Sequence, residues 1–270
     1  MMKKILSILS VFAMVMVMTS CSNDEGGKGG DVTRSMKVIN HIVNTKTSEV
    51  MPLTTSQIDY KINRDNMTLS LTIRAKLDGA KESTVEFKDL TMTENKGVYS
   101  FKASGSGVED LRGKLDFNEG TLRLNYNIDG KYRVIATTPE VFSTKCATSC
   151  AYGEGKTFSS NATMYQYNID TESLTAKMVV MDFVDQSAKR TLTNVKTLTA
   201  AKVTVTKDGY VIEAESLPTT TTYILNGKAT TTTLYPIADL KATIDLENDK
   251  YDATFQLANI TITATGAINN

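Results

Sequence analysis

The feature that most constrains the fold of this 270-residue chain is an alternation of apolar and polar residues that recurs along most of its length. Leu69–Arg74, Leu122–Ile128 and Ile260–Ala264 all show it, with Thr, Ser or Asn between Leu, Ile or Tyr. Period-two alternation gives a strand one face in a core and one in water, and β-branched residues favour strands. Turn signals such as Asp129-Gly130 separate the runs, and helix signals are scarce. The sequence therefore predicts an all-β protein of antiparallel sheets.

The two halves of the chain resemble each other. Tyr60–Thr68 aligns with Tyr167–Thr175, and later blocks around Leu111 and Leu240 align in the same order, with their apolar positions in correspondence. The gaps between the blocks fall at turns, which is typical of an internal duplication of a whole domain. We therefore expect two tandem domains, residues 36–139 and 140–270, with the boundary near Pro139. Each would be an antiparallel β-sandwich or a small lipocalin-like barrel of about seven strands.

Residues 217–236 have no counterpart in the first half. They read LPTTTTYILNGKATTTTLYP, and Asn-Gly between β-branched runs is the strongest short signal for a type I′ hairpin. Two cross-strand pairs are predicted, Leu225 with Lys228 and Tyr223 with Thr230. Because the strands are mostly threonine and would bury little apolar area, we expect the domain to fold without residues 219–234 unless Tyr223, Ile224 and Leu225 fill the core.

Two interpretations of this insertion remain open. The hairpin either covers a sheet edge or projects as a finger that touches a partner. The residues that such a binding hairpin would present are Tyr223, Ile224, Leu225, Asn226 and Gly227.

The N-terminus carries an export signal. Lys3 and Lys4 precede the apolar run Ile5–Met18, which is too short to span a bilayer comfortably but has the length of a signal-peptide core. The run ends at Thr19-Ser20-Cys21 and resembles a bacterial lipoprotein signal, although leucine is commoner than Met18 at its position. The resemblance implies that residues 1–20 are removed and that Cys21 is lipidated; ordinary secretion with an incidental cysteine is the alternative.

The residues after Cys21 indicate where the protein resides. Residues 21–35 are rich in Gly and charged residues and are predicted to be a flexible tether. Asp24 and Glu25 resemble the acidic signal that sends Bacteroidetes lipoproteins to the cell surface, and a solvated spacer is the alternative. We expect an outer-membrane protein, on the periplasmic or the cell-surface face, whose membrane attachment is the acyl anchor at Cys21.

Candidate catalytic or metal-binding residues are few. His41 is the single histidine, so any Ser-His-Asp or Cys-His arrangement would have to include it. It lies in an apolar run, where we expect a buried structural histidine rather than a catalytic one. Histidine and cysteine together supply too few ligands for a zinc site, and no calcium-loop pattern occurs, so we expect no metal and no cofactor. Cys146 and Cys150 could form a disulfide if residues 147–149 turn, because four residues of strand separate the Cα atoms too widely. Two thiols on one strand face are the alternative.

The balance of charge and the general pattern bear on function. Lys and Arg number 30 and Asp and Glu also number 30, which makes nucleic acid an improbable partner.

The whole chain resembles the uncharacterised surface lipoproteins of Bacteroidetes that are built of tandem β domains. That resemblance implies a non-enzymatic binding or accessory protein, whose partner would be a cell-envelope protein, a glycan or a small apolar ligand. The alternatives are a lipocalin-like carrier of a small apolar ligand and, third, a glycan-degrading enzyme.

Overall fold

The computed structural model describes residues 30–76, 82–105, 107–117, 120–138, 141–225 and 227–268. These residues form 21 β-strands and no helix, so the predicted all-β fold is confirmed. The strands form two sheets, a closed barrel and a larger curled sheet. Cys21 and the predicted signal peptide lie outside the described residues. The first strand begins at Asp31, within the stretch that the sequence predicted to be tether.

The first sheet is an eight-stranded up-and-down barrel in which each strand pairs antiparallel with the next. Its strands are β1 (Asp31–Asn44), β2 (Thr54–Asn63), β3 (Thr68–Lys76), β4 (Glu82–Asn95), β5 (Val98–Gly105), β6 (Val108–Asp116), β7 (Thr121–Ile128) and β8 (Tyr132–Thr137). The barrel closes through β1 and β8, whose residues pair from Ile39 opposite Thr137 to Asn44 opposite Tyr132. Closure leaves the first sheet without a free edge.

Side chains fill the interior of this barrel. Along β2, Ile58, Tyr60 and Ile62 are buried while their neighbours are more exposed, as alternation predicts. Tyr126 on β7 is also fully enclosed, and the Phe101 ring lies where a Cβ on Gly113 would stand, so only glycine fits at that position. An eight-stranded barrel has an interior just wide enough to be filled by side chains or to hold one small ligand. Here the interior is a packed core.

The second sheet contains the other 13 strands. They are β9 (Val141–Lys145), β10 (Ala147–Tyr152), β11 (Lys156–Ser159), β12 (Met164–Asp170), β13 (Thr175–Asp185), β14 (Arg190–Thr197), β15 (Ala201–Thr206), β16 (Gly209–Leu217), β17 (Thr219–Leu225), β18 (Lys228–Thr232), β19 (Ile237–Asp245), β20 (Lys250–Leu257) and β21 (Ile260–Ala267).

Eight of these strands curl around one core in the order β9, β12, β13, β15, β16, β19, β20 and β21. Where the two ends of the curl meet, the Thr144 hydroxyl on β9 donates a hydrogen bond to the Ala267 carbonyl on β21, at 2.6 Å. At β13 the sheet branches: Thr175 and Ala176 pair with β15, whereas Val179–Asp185 pairs with β14. The branch leads outward to β17 and β18.

The strand order of the curled sheet repeats that of the barrel. The aligned blocks Tyr60–Thr68 and Tyr167–Thr175 form the β2–β3 and β12–β13 hairpins, and the later blocks form β6–β7 and β19–β20. The long β4 pairs with β3 and β5 and corresponds to two shorter strands in the second half. Of these, β14 pairs with β13, and β15 pairs with β16. The second half adds β10–β11 and β17–β18. The barrel has eight strands rather than the predicted seven or so, and the second core also includes buried residues of β10, β11 and β14.

The two units pack against each other through the outer face of β1 and β8. Residues 38–43 are buried on both faces of β1, and Ile135 on β8 belongs to the core of the second unit. His41 Nε2 donates a hydrogen bond to the Thr206 carbonyl, since a carbonyl can only accept. Arg133 forms an ion pair with Glu247 and donates a hydrogen bond to the Lys207 carbonyl at 2.7 Å. The junction therefore has an apolar centre with a polar rim.

Candidate functional site

The inserted hairpin is part of a three-stranded extension of the second unit, formed by β14, β17 and β18. The predicted register is confirmed: Leu225 pairs with Lys228 and Tyr223 with Thr230. β17 also pairs with β14 along its length, from Thr197 opposite Thr219 to Thr191 opposite Ile224. β17, the first strand of the hairpin, thus covers the edge of β14, which fits the edge-covering interpretation. β18 is then the outermost strand. Asn226 lies outside the described residues.

One face of the extension belongs to the core. Thr219 and Thr221 are buried, and Tyr223 is partly buried against the second core, where the Arg190 guanidinium lies 4.9 Å from its ring centre. The Thr219 hydroxyl also donates to the carbonyl of Tyr235, whose own hydroxyl reaches the buried Asp185 carboxylate at 3.3 Å. Tyr223 therefore meets the condition under which the hairpin would contribute to the core, whereas Ile224 does not. Buried threonine stabilises this face because its methyl group packs in the core while its hydroxyl forms a hydrogen bond.

The other face of the extension is exposed and carries apolar side chains. Ile224 is 51% exposed and lies in one row with Thr191 on β14 and Val184 on β13. Leu234, just beyond β18, is 75% exposed, and Leu198 at the end of β14 is also exposed. Four of the five large apolar side chains that are exposed among the described residues lie on or beside this extension. Single exposed apolar residues are ordinary, but their concentration on one feature is typical of an interaction surface.

Cys146 and Cys150 are buried free thiols on the inner side of the second unit. Ala147–Tyr152 is a strand, so the turn that a bridge would need is not present at residues 147–149. Cys146 lies between β9 and β10 and Cys150 lies within β10, and both side chains belong to the second core. Burial raises the pKa of Cys146 to about 11 and that of Cys150 to about 12. Both thiols are therefore protonated at neutral pH and are poor nucleophiles.

A cluster of tyrosines lies beside these thiols. The hydroxyls of Tyr167 and Tyr251 share a hydrogen bond of 2.7 Å, and the Tyr165 hydroxyl bonds to that of Thr148 at 2.9 Å. Burial raises the pKa of all three tyrosines, so they stay neutral and stabilise the core through packing and hydrogen bonds. The cluster supplies no group that is poised to accept or donate a proton near neutral pH.

The structure also bears on metal and membrane sites. Within the part of the chain that the structure describes, no three His, Cys, Asp or Glu side chains come together in a way that could hold a metal ion. The described residues contain no helix that is long and apolar enough to cross a membrane.

The sequence matches no protein-family model and no curated protein. Among solved structures, the chain is similar to isotype 1 transferrin binding protein B from serogroup B Neisseria meningitidis, with 6% sequence identity and a TM-score of 0.24. That match covers 87% of this chain and 77% of the other. The all-β assignment rests on the 21 strands described above.

Proposed function

We propose that this protein is an exported, lipid-anchored binding or accessory protein of the bacterial outer membrane and that it has no catalytic activity. The anchor would be Cys21, held at a distance from the β units by the Gly-rich residues that follow it. Two rigid β units on a tether suit a protein that presents a surface to a partner. The observation that carries the proposal is that four of the five large apolar side chains exposed among the described residues lie on or beside the β14–β17–β18 extension.

The anchor can be tested by fractionation. We expect Cys21→Ser to release the protein from the membrane fraction, because a serine cannot receive the thioether-linked lipid. The control is Cys150→Ser, which removes a buried thiol far along the sequence and should leave membrane association unchanged. If Cys21→Ser stays with the membranes after a carbonate wash, Cys21 is not the anchor.

The binding surface can be tested by site-specific photo-crosslinking in cells. A photo-reactive amino acid at position 224 lies on the exposed row of the extension, and one at Leu174 provides a matched control at the exposed β12–β13 turn. We expect discrete higher-mass adducts from position 224 and none from position 174. Equal adduct patterns at the two positions, or no adduct at either, would contradict a binding role for the extension.

A further inference from the structure

A second surface lies on the outer face of the barrel, beside the junction with the second unit, and is independent of the extension. A groove of about 680 Å³ runs across β4, β5, β6 and β7, and the turn between β19 and β20 forms its opposite wall. We call this surface the junction groove. Its lining includes four cationic side chains, those of Lys102, Arg112, Lys114 and Arg123.

The strand register places these cations directly opposite one another. Lys102 on β5 pairs with Arg112 on β6, and Lys114 on β6 pairs with Arg123 on β7. Side chains directly opposite in an antiparallel pair have Cβ atoms about 4.5–5.5 Å apart, and like charges there destabilise the sheet. Two adjacent like-charged pairs on one face therefore destabilise the sheet unless nearby anions offset them.

The acidic residues of the groove offset only part of this charge. Asp249 forms an ion pair with Arg123 and lies 3.2 Å from the Lys114 ammonium, so one carboxylate serves two cations. Glu247 is engaged by Arg133 at the rim of the junction. Lys102 and Arg112 are exposed and have no ion-pair or hydrogen-bond partner among the described residues. The whole chain has a formal net charge of zero, so this positive charge is a local feature.

The remaining lining indicates what kind of anion would fit. Thr91, Thr93 and Ser100 supply hydroxyls, and Asn125 supplies an amide, all beside the cationic rows. Such groups hydrogen-bond to the hydroxyls of a sugar, whereas single-stranded nucleic acid requires exposed aromatic faces on which its bases stack. Phe101 is the aromatic residue of the lining, and it is buried in the barrel core.

We infer that the junction groove binds an acidic oligosaccharide, with Lys102 and Arg112 contacting its sulfate or carboxylate groups. The ligand supplies the negative charge that the two unpartnered cations lack, and the hydroxyl and amide groups of the lining hold the sugar ring. Asp249 positions Lys114 and Arg123 and limits the number of anionic groups that the groove takes.

The test compares the full chain with the double variant Lys102→Gln/Arg112→Gln by titration calorimetry at low salt, about 50 mM, where screening is weak. The probes are a heparin hexasaccharide, a galacturonate hexamer, a hexaglutamate peptide, inorganic tripolyphosphate and neutral maltohexaose. The control is Lys177→Gln/Lys202→Gln, which removes the same two charges from exposed strand positions of the second unit.

We expect the unmodified chain and the control to bind the sulfated or the galacturonate saccharide and the groove variant to bind it about tenfold or more weakly. A preference for the heparin or the galacturonate probe identifies sulfate or carboxylate as the group bound. The groove variant should melt no lower than the unmodified chain without a probe, because the like-charged pair is removed. This melt separates a lost contact from a lost fold.

Three results would overturn the inference. Binding that the groove variant retains in full would place the site elsewhere. Equal binding of hexaglutamate or tripolyphosphate would show that the groove takes anions without recognising a sugar. The third such result is that the unmodified chain binds neither acidic saccharide.

Discussion

His41 in the barrel and Thr206 in the second unit are joined by a hydrogen bond from the imidazole Nε2 to the backbone carbonyl, across 165 positions of sequence. The ring also lies edge-on to Tyr210, with ring centres 6.2 Å apart. His41 Nδ1 is buried without a partner. The single histidine of the chain is therefore a structural contact between the two units.

The first prediction concerns the pH dependence of stability. Burial lowers the pKa of His41, Arg133 lowers it further, and the Thr206 carbonyl and Asp208 oppose that shift. Because the pKa of His41 is lower in the native chain, the unfolded chain binds a proton at this residue first as pH falls below about 6.5. The free energy of unfolding therefore decreases as pH falls through this range. We expect the melting temperature to fall between about pH 7.5 and pH 5.5.

The control for this prediction is His41→Gln. Glutamine does not titrate, and its amide can still donate to the Thr206 carbonyl. The variant should therefore show a smaller fall in melting temperature over the same range. Identical pH profiles for the two proteins would mean that His41 does not contribute to the pH dependence.

Local patterns in the sequence were sufficient to predict strands and one hairpin. The register of Tyr223 with Thr230 followed from Asn-Gly alone, because a type I′ turn fixes the pairing of its flanking strands. Alternation gave the all-β class for the same reason: side chains of a strand point to opposite faces whatever lies beyond. The order of strands in the two halves followed from aligned apolar positions around Tyr60 and Tyr167.

The junction between the units could not be predicted in the same way. The apolar residues of 38–43 lack alternation, and this indicates burial on both faces without indicating what covers them. Ile135 and the Arg133–Glu247 ion pair depend on how one unit docks on the other, which is set by tertiary packing.

The cationic pairs of the junction groove were also missed. The sequence pattern that indicates such pairs was present, since Lys102 and Arg112 occupy polar positions of neighbouring strands. However, register shifts between Ala103 and Gly105 and between Glu109 and Arg112 change the pairing. A bulge adds one residue to one strand, so the partner of Lys102 cannot be counted from the turn.

The second prediction concerns the extension. Deleting residues 219–234 removes the strand that covers β14 and the Tyr223 side chain that packs on the core. We expect a fall in melting temperature beyond about 8 °C, which corresponds to more than roughly 1 kcal/mol for a domain of this size. Circular dichroism of the deletion variant and the full chain measures it.

The matched control is Ile224→Thr, which changes the exposed face of the same hairpin and should alter stability by less than about 0.5 kcal/mol. A deletion that costs no more than this substitution would show that the hairpin is dispensable and that its buried face contributes nothing to stability.

The third prediction concerns the cysteines, and it uses Cys21→Ser so that only Cys146 and Cys150 are counted. Both are buried and burial holds their pKa values near 11 and 12, so we expect no reaction with a thiol reagent in the native state at about pH 8. Two thiols should react after unfolding in guanidinium without reductant. If they react only after reduction, the two cysteines form the disulfide that their export and spacing suggested.

The fourth prediction is that residues 140–270 fold alone. The buried residues of the second core come from this segment except Ile135, and the second sheet contains its own 13 strands. A segment with its own core is expected to fold independently. We expect the isolated fragment to melt cooperatively but below the full chain, because it loses Ile135 and the contacts of His41 and Arg133.

The control for the fragment is Ile135→Ala in the full chain, which removes the apolar contact of the junction while both units remain present. The cavity should cost about 2–5 kcal/mol if the site cannot collapse, and the loss should be seen mainly in the melting of the second unit. A fragment with no cooperative transition would show that the halves share one core and that the second half is not stable without the first.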